Sequence, residues 1–155
     1  TYSTICKFAE AGESHGIMLR EFVDLNTDYE FRLFVFGNTL RAISQYKCYT
    51  ENLFPDEQVR KQIYDAICKW FIAIDRYINY RDYVLDIVFI GNFSETNIRN
   101  FSETNIRNFS ETKITIIEIN SYGAGLLAGS GLYNWETDYD ILHYSAKPDI
   151  RFLIE

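Results

Sequence analysis

Two apolar runs, Tyr83 to Ile90 (YVLDIVFI) and Lys113 to Asn120 (KITIIEIN), constrain this chain more than any other feature. Both read as strands buried on at least one face, yet each carries oxygen-bearing side chains that a core strand excludes. Side chains alternate along a strand, so Glu118 and Asn120 project from the same face, one step apart. If the two strands pair, Asp86 lies beside them and three oxygen donors converge on one point. That set suits a hard cation such as Mg²⁺ shared with phosphate oxygens. The competing reading is a set of partly solvated edge positions, and spacing alone leaves both open.

Between the two strands lies a perfect tandem repeat: NFSETNIR at 92–99, again at 100–107, and NFSETK from Asn108. Solenoid units run to about 20–50 residues, so a repeat this short, present only here, reads as an expanded hairpin loop over 92–112. Asn92, Asn100 and Asn108 each open an Asn-Phe-Ser acceptor pattern for glycosylation. Without a secretory signal these are expected to stay unmodified, and the repeat is assigned no chemistry.

The rest of the pattern is that of one mixed domain. Ile17 to Leu25 reads as a strand after a helix end and turn in the first sixteen residues. Tyr29 to Phe36 alternates, with Tyr29, Phe31, Leu33 and Val35 on one face and Glu30, Arg32, Phe34 and Phe36 on the other. Gly37-Asn38 signals a two-residue turn, and Thr39 to Tyr46 returns antiparallel. Pro55 to Ile74 is the clearest helix: Val59, Ile63, Ala66, Ile67, Trp70, Phe71 and Ile74 form one apolar stripe, with Asp56 and Glu57 in the first turn. After Asn120, Gly123, Gly125 and Ala128 imitate a dinucleotide-binding turn, but too little chain remains for the βαβ unit that such a turn serves. A loop using Gly123, Gly125, Gly129 and Gly131 for close backbone approach fits better. A short terminal helix follows, and Ile150 to Ile154 reads as a last strand.

Bulk numbers exclude several function classes. A chain of 155 residues with 47% hydrophobic and 17% aromatic residues builds one globular domain with a core. A formal charge of −7, with no basic patch, argues against a nucleic-acid backbone as partner. No apolar run approaches the roughly 20 residues of a membrane span. The first residues lack the apolar centre of a signal peptide and no initiator Met opens the chain, so it reads as a piece of a longer cytoplasmic protein. Cys6, Cys48 and Cys68 are odd in number and unspaced for zinc, as expected of thiols in a reducing compartment. His15 and His143 have no ligand-spaced partners.

Six segments in order, LREFVDL (19–25), EFRLFV (30–35), AISQY (42–46), YVLDIV (83–88), IIEIN (116–120) and GLYNWE (131–136), resemble the C-terminal half of an ATP-grasp domain. The likeness is to the cell division cycle protein 123 family, and closer to its bacterial and viral members. It implies an α+β fold over 1–155, an antiparallel sheet packed on one long amphipathic helix and a short terminal helix. It also implies ATP and Mg²⁺ as ligands. Glu21, Phe22 and Val23 would then be the linker between lobes that meets the adenine. Arg32 would reach the phosphates, since a guanidinium fork matches phosphate oxygens. Asp86, Glu118 and Asn120 would hold the Mg²⁺. Glu118 stands where the family often has Asp, and Tyr46 where eukaryotic members often have an Arg. The family's N-terminal half, with its phosphate-binding lysines, is absent from this sequence.

Three functions follow from that resemblance. The first is a nucleotide-dependent protein assembly factor, which in eukaryotic members serves a translation initiation factor subunit. The second is an ATP-dependent carboxylate–amine ligase, and the third a truncated domain that binds no nucleotide. The resemblance assigns no catalytic residue.

Overall fold

The computed structural model describes residues 22–49, 52–90, 113–126 and 128–154. The tandem repeat, Glu21, Cys6 and His15 lie outside the described residues, as does the helix end expected in the first sixteen. Of the strand expected over 17–25, residues 22–25 are described and are irregular. A short 3-10 turn, Thr27–Tyr29, capped by the Asn26 side chain, leads the chain into the sheet.

The sheet has five strands: β1 (Glu30–Phe36), β2 (Thr39–Gln45), β3 (Tyr83–Ile90), β4 (Lys113–Ser121) and β5 (Asp149–Arg151), in the order β4-β3-β1-β2-β5. β1 and β2 form the expected hairpin, its turn closed by Gly37 at φ 62° and Asn38 at φ 57°. Both central residues must be left-handed for a two-residue turn to follow the twist of its strands, and Gly and Asn tolerate that best. The Asp82 carboxylate accepts from Gly37 N–H at 2.7 Å and tethers the turn to the start of β3.

Four strands run antiparallel, as the sequence suggests. β5 departs from the all-antiparallel expectation: it lies parallel to β2, pairing Ala42 with Asp149 and Ser44 with Arg151. It is also shorter than the run 150–154, because Leu153 N–H turns aside to the Gln45 side-chain oxygen at 3.1 Å.

Helix α1 (Glu57–Ile74) covers one face of the sheet. Its N-cap is Asp56, whose carboxylate accepts from Gln58 and Val59 N–H, so Pro55 sits just before the cap rather than inside the helix. The stripe Val59, Ile63, Ile67 and Phe71 is buried against Phe31, Leu33, Ile43, Leu85 and Ile87. Each such side chain contributes about 1.5–3 kcal/mol by leaving water. Trp70 is half-buried at the margin of this core, as scaffold.

The other face divides in two. At one end Phe34, Ala42 and Val84 pack against Ala128, Tyr133 and Leu142, the last from the short helix α2 (Tyr139–Tyr144). At the other end the same face carries Arg32, Ser44 and Asp86, all buried and all polar. Five-stranded sheets do not bury such a group in their middle without partners for it.

Candidate functional site

Strand register assembles the site. Arg32 on β1 stands opposite Asp86 on β3, and Asp86 stands opposite Glu118 on β4. One step along, Val84 faces Asn120, so Asn120 projects on the same side as Asp86. An irregularity between Asp86 and Ile87 leaves Ile117 without a partner in the ladder. Such bulges re-aim side chains beside functional sites.

Arg32 and Asp86 form a two-point fork: Nε donates to Oδ1 at 2.8 Å and Nη2 to Oδ2 at 2.7 Å. Every donor in that fork is on the guanidinium and every acceptor on the carboxyl group. Burial pushes the Asp86 carboxyl above the ordinary carboxylate range, and the Arg32 hydrogen bonds and charge oppose it. Nη1 donates to the Gly129 carbonyl at 2.7 Å, and the guanidinium lies over the Tyr46 ring, 4.8 Å from its centre. The Asn120 amide nitrogen donates to Glu118 Oε1 at 2.9 Å and lies 3.3 Å from Asp86 Oδ2. Asp86, Glu118 and Asn120 therefore stand on one face of the sheet and within reach of one another.

Glu30 adds a further buried carboxyl on this face. Burial raises its pKa to about 7, and the negative charges of Asp86 and Glu118 add to the effect while Arg32 opposes it. Sequence alternation placed Glu30 on the same strand face as Arg32. Nothing in the pattern of β1 alone shows that the polar end of this face is enclosed.

A cavity of about 350 Å³ opens over the group, lined by Arg32, Tyr46, Glu118, Asn120 and the Gly129–Gly131 turn. Of the four glycines expected to approach closely, Gly129 and Gly131 do so, whereas a Cβ on Gly123 would meet only Leu126 at 3.7 Å and one on Gly125 would meet nothing within 4 Å. A Cβ on Gly129 would come within 3.4 Å of Arg32 Nη1, and one on Gly131, at φ +58°, would strike Ser44 Oγ. Ser44 Oγ itself accepts from Leu132 N–H at 2.9 Å and pins the turn to β2. Phe22 and Val23 stand exposed in the irregular lead-in and do not line this cavity. A larger, mostly apolar cleft of about 1080 Å³ lies between the start of α1 and residues 150–154, away from all of these groups. It gathers no convergent carboxylates, so volume and chemistry point to different places and the chemistry decides.

Two carboxylates and an amide oxygen are hard donors and fit a divalent ion such as Mg²⁺. Among the described residues no three Asp, Glu, His or Cys side chains stand close enough to hold a metal. A third donor in such a set would be the Asn120 amide, turned so that its oxygen rather than its nitrogen faces the carboxylates.

Fold and site together define an α+β domain whose sheet presents a carboxylate, amide and guanidinium centre on the face away from its long helix. The chain belongs to the D123 family, whose model matches residues 6–154. It is 33% identical over 133 residues to a CDC123-like protein of Acanthamoeba polyphaga mimivirus, a match covering 85% of this chain and 36% of that protein. Its fold is that of Cdc123 from Schizosaccharomyces pombe, with a TM-score of 0.60 at 17% identity over 88% of this chain and 45% of the solved one. A C-terminally truncated form of the yeast protein matches with a TM-score of 0.57 at 19% identity, over 88% of this chain and 44% of that one. The chain thus spans less than half the length of each of these relatives.

Proposed function

We propose that this chain is one lobe of an ATP-grasp-type domain, which binds ATP with Mg²⁺ and acts as a nucleotide-dependent protein assembly factor in the cytoplasm. The observation that carries the reading is the Asn120 amide, set 2.9 Å from Glu118 and 3.3 Å from Asp86 where an ion would bridge the two carboxylates. Asp86, Glu118 and Asn120 are the metal ligands in this reading, and Arg32 the phosphate contact. Glu21, Phe22 and Val23 are the adenine contacts implied by family likeness.

Binding without turnover is favoured over ligase chemistry by the charge of the cavity. Arg32 is the only cation among its described lining residues. Transfer of a phosphoryl group to a carboxylate requires several positive groups around the transferring oxygens. An assembly factor needs only that nucleotide and ion stabilise one conformation for a protein client.

Thermal unfolding with and without ATP·Mg²⁺ tests the reading. The chain is expected to gain stability with ATP·Mg²⁺ and to release no ADP when offered a carboxylate and an amine. Asn120→Ala and Glu118→Ala are the clean variants, because Glu118 is exposed, Asn120 is only partly buried, and neither belongs to the hydrophobic core. Each is expected to abolish the gain. A full gain in both would remove the site assignment.

A further inference from the structure

Asp86 is 1% exposed, and both of its oxygens are already held by a cation, the Arg32 guanidinium. A buried carboxylate on a sheet face needs a positive partner at all times, since leaving it uncompensated is strongly unfavourable. A divalent ion arriving alone therefore meets a carboxylate that is satisfied, beside a guanidinium whose charge repels it. The second place an ion would occupy is filled as well. There the Asn120 amide turns its N–H groups, not its oxygen, toward Glu118 and Asp86.

Arg32 also has somewhere to go. Of its five N–H groups, two serve Asp86 and one the Gly129 carbonyl, while its face rests on Tyr46. Gly129 and Tyr46 both line the cavity, so a guanidinium released from Asp86 keeps a carbonyl and an aromatic face to hold it at that wall. Its freed donors then face the space where phosphate oxygens would sit, and a two-point match to phosphate replaces the two-point match to carboxylate.

We propose that Arg32 is the resident counter-cation of Asp86, and that a metal ion gains this carboxylate only as nucleotide phosphates draw the guanidinium away. The proposal rests on the nucleotide reading above and goes beyond it: ion and nucleotide load together, and neither alone rearranges the centre. The coupling is reciprocal by thermodynamic necessity. Tyr46 is a positioning residue in this scheme, acting through Arg32.

Mn²⁺ alone is the probe, with free Mn²⁺ read by electron paramagnetic resonance on the whole chain, and ATP·Mn²⁺ binding read separately by calorimetry. Arg32→Met is expected to bind Mn²⁺ without nucleotide at least tenfold more tightly than the unaltered chain. Arg32→Lys keeps the charge but cannot make the fork, and is expected to fall between the two. It carries the test if Arg32→Met fails to fold. The double variant Arg32→Met with Asp86→Asn is expected to lose the gain, because the freed carboxylate is its source. Mn²⁺ binding by the unaltered chain as tight as by the Arg32 variants, with ATP·Mn²⁺ still bound, would overturn the gate and leave the functional reading standing. No response of the unaltered chain to ATP·Mn²⁺ would instead overturn the functional reading, and this proposal with it.

Discussion

Glu30 shows what one side chain adds to a charged centre. It is 8% exposed and two positions before Arg32 on the same strand face. Burial, then the charge of Asp86, lifts its pKa from the ordinary 4.5 to about 7. The folded chain therefore holds this proton where the unfolded chain has lost it. Stability from the protonated form is complete below about 4.5 and is lost as pH rises to about 7. A shift of that size corresponds to about 3 kcal/mol. Unfolding in urea with EDTA at pH 4.5 and at pH 7.5 checks it: Glu30→Gln, which cannot ionise, is expected to lose less stability over that interval than the unaltered chain. Asp86 makes the complementary case. Asp86→Ala leaves a buried guanidinium without its partner and is expected to cost about 3–5 kcal/mol in the same measurement, with Arg32→Met in addition recovering most of the loss. Sequence alternation put Glu30 and Arg32 on one face of β1 and put Glu118 beside Asn120. It did not pair Arg32 with Asp86, because register between strands far apart in sequence is fixed by packing rather than by either strand's own pattern.

Elements were legible in the sequence wherever their signal is local. The β1–β2 hairpin follows from alternation around Gly37-Asn38, and α1 from a stripe that one helical face accounts for in full. β3 is buried along nearly all its length, while β4 at the sheet edge is half-exposed, a difference of position that their similar composition does not encode. β5 was foreseen as a strand but not as a parallel one, since its partner β2 lies more than a hundred residues earlier. The irregular lead-in at residues 22–25, where a strand was expected, shows the same limit: Phe22 and Val23 have strand-like chemistry but are exposed. Substitutions separate the two faces of the sheet. Ile67, fully buried under the sheet, is expected to cost about 2–5 kcal/mol on truncation to Ala, without altering ligand binding. Gly131→Ala acts on the other face. Left-handed backbone and contact with Ser44 both oppose the added methyl, for about 1–3 kcal/mol of stability. It also shifts the turn that gives Arg32 its Gly129 contact, so ATP·Mg²⁺ stabilisation is expected to weaken in this variant and not in Ile67→Ala.

At the scale of the whole molecule, one sheet separates two tasks. Its α1 face carries the main core, and its second face carries a smaller core at one end and the charged centre at the other. Changes that spare both faces should therefore spare both stability and site. The tandem repeat gives the sharpest test. It joins β3 to β4, two strands paired antiparallel from Tyr83–Ser121 to Ile90–Lys113, and so it begins where their pairing ends. Asp86, Glu118 and Asn120 lie further inside that ladder, and none of their partners comes from the repeat's neighbours at its open end. Closing a loop costs entropy that grows only with the logarithm of its length, about 0.6 kcal/mol for each doubling. Deleting one NFSETNIR unit shortens the connection by less than half, so the expected change is a gain of under about 0.6 kcal/mol. The pairing register is held by the bulge beside Asp86 and by the buried face of β3, which the deletion leaves untouched. Thermal unfolding of the 92–99 deletion should thus match that of the unaltered chain within a degree or two, with its ATP·Mg²⁺ shift intact. A fall of several degrees would mean that the repeat packs on the sheet, and loss of the shift alone would mean that it closes over the cavity.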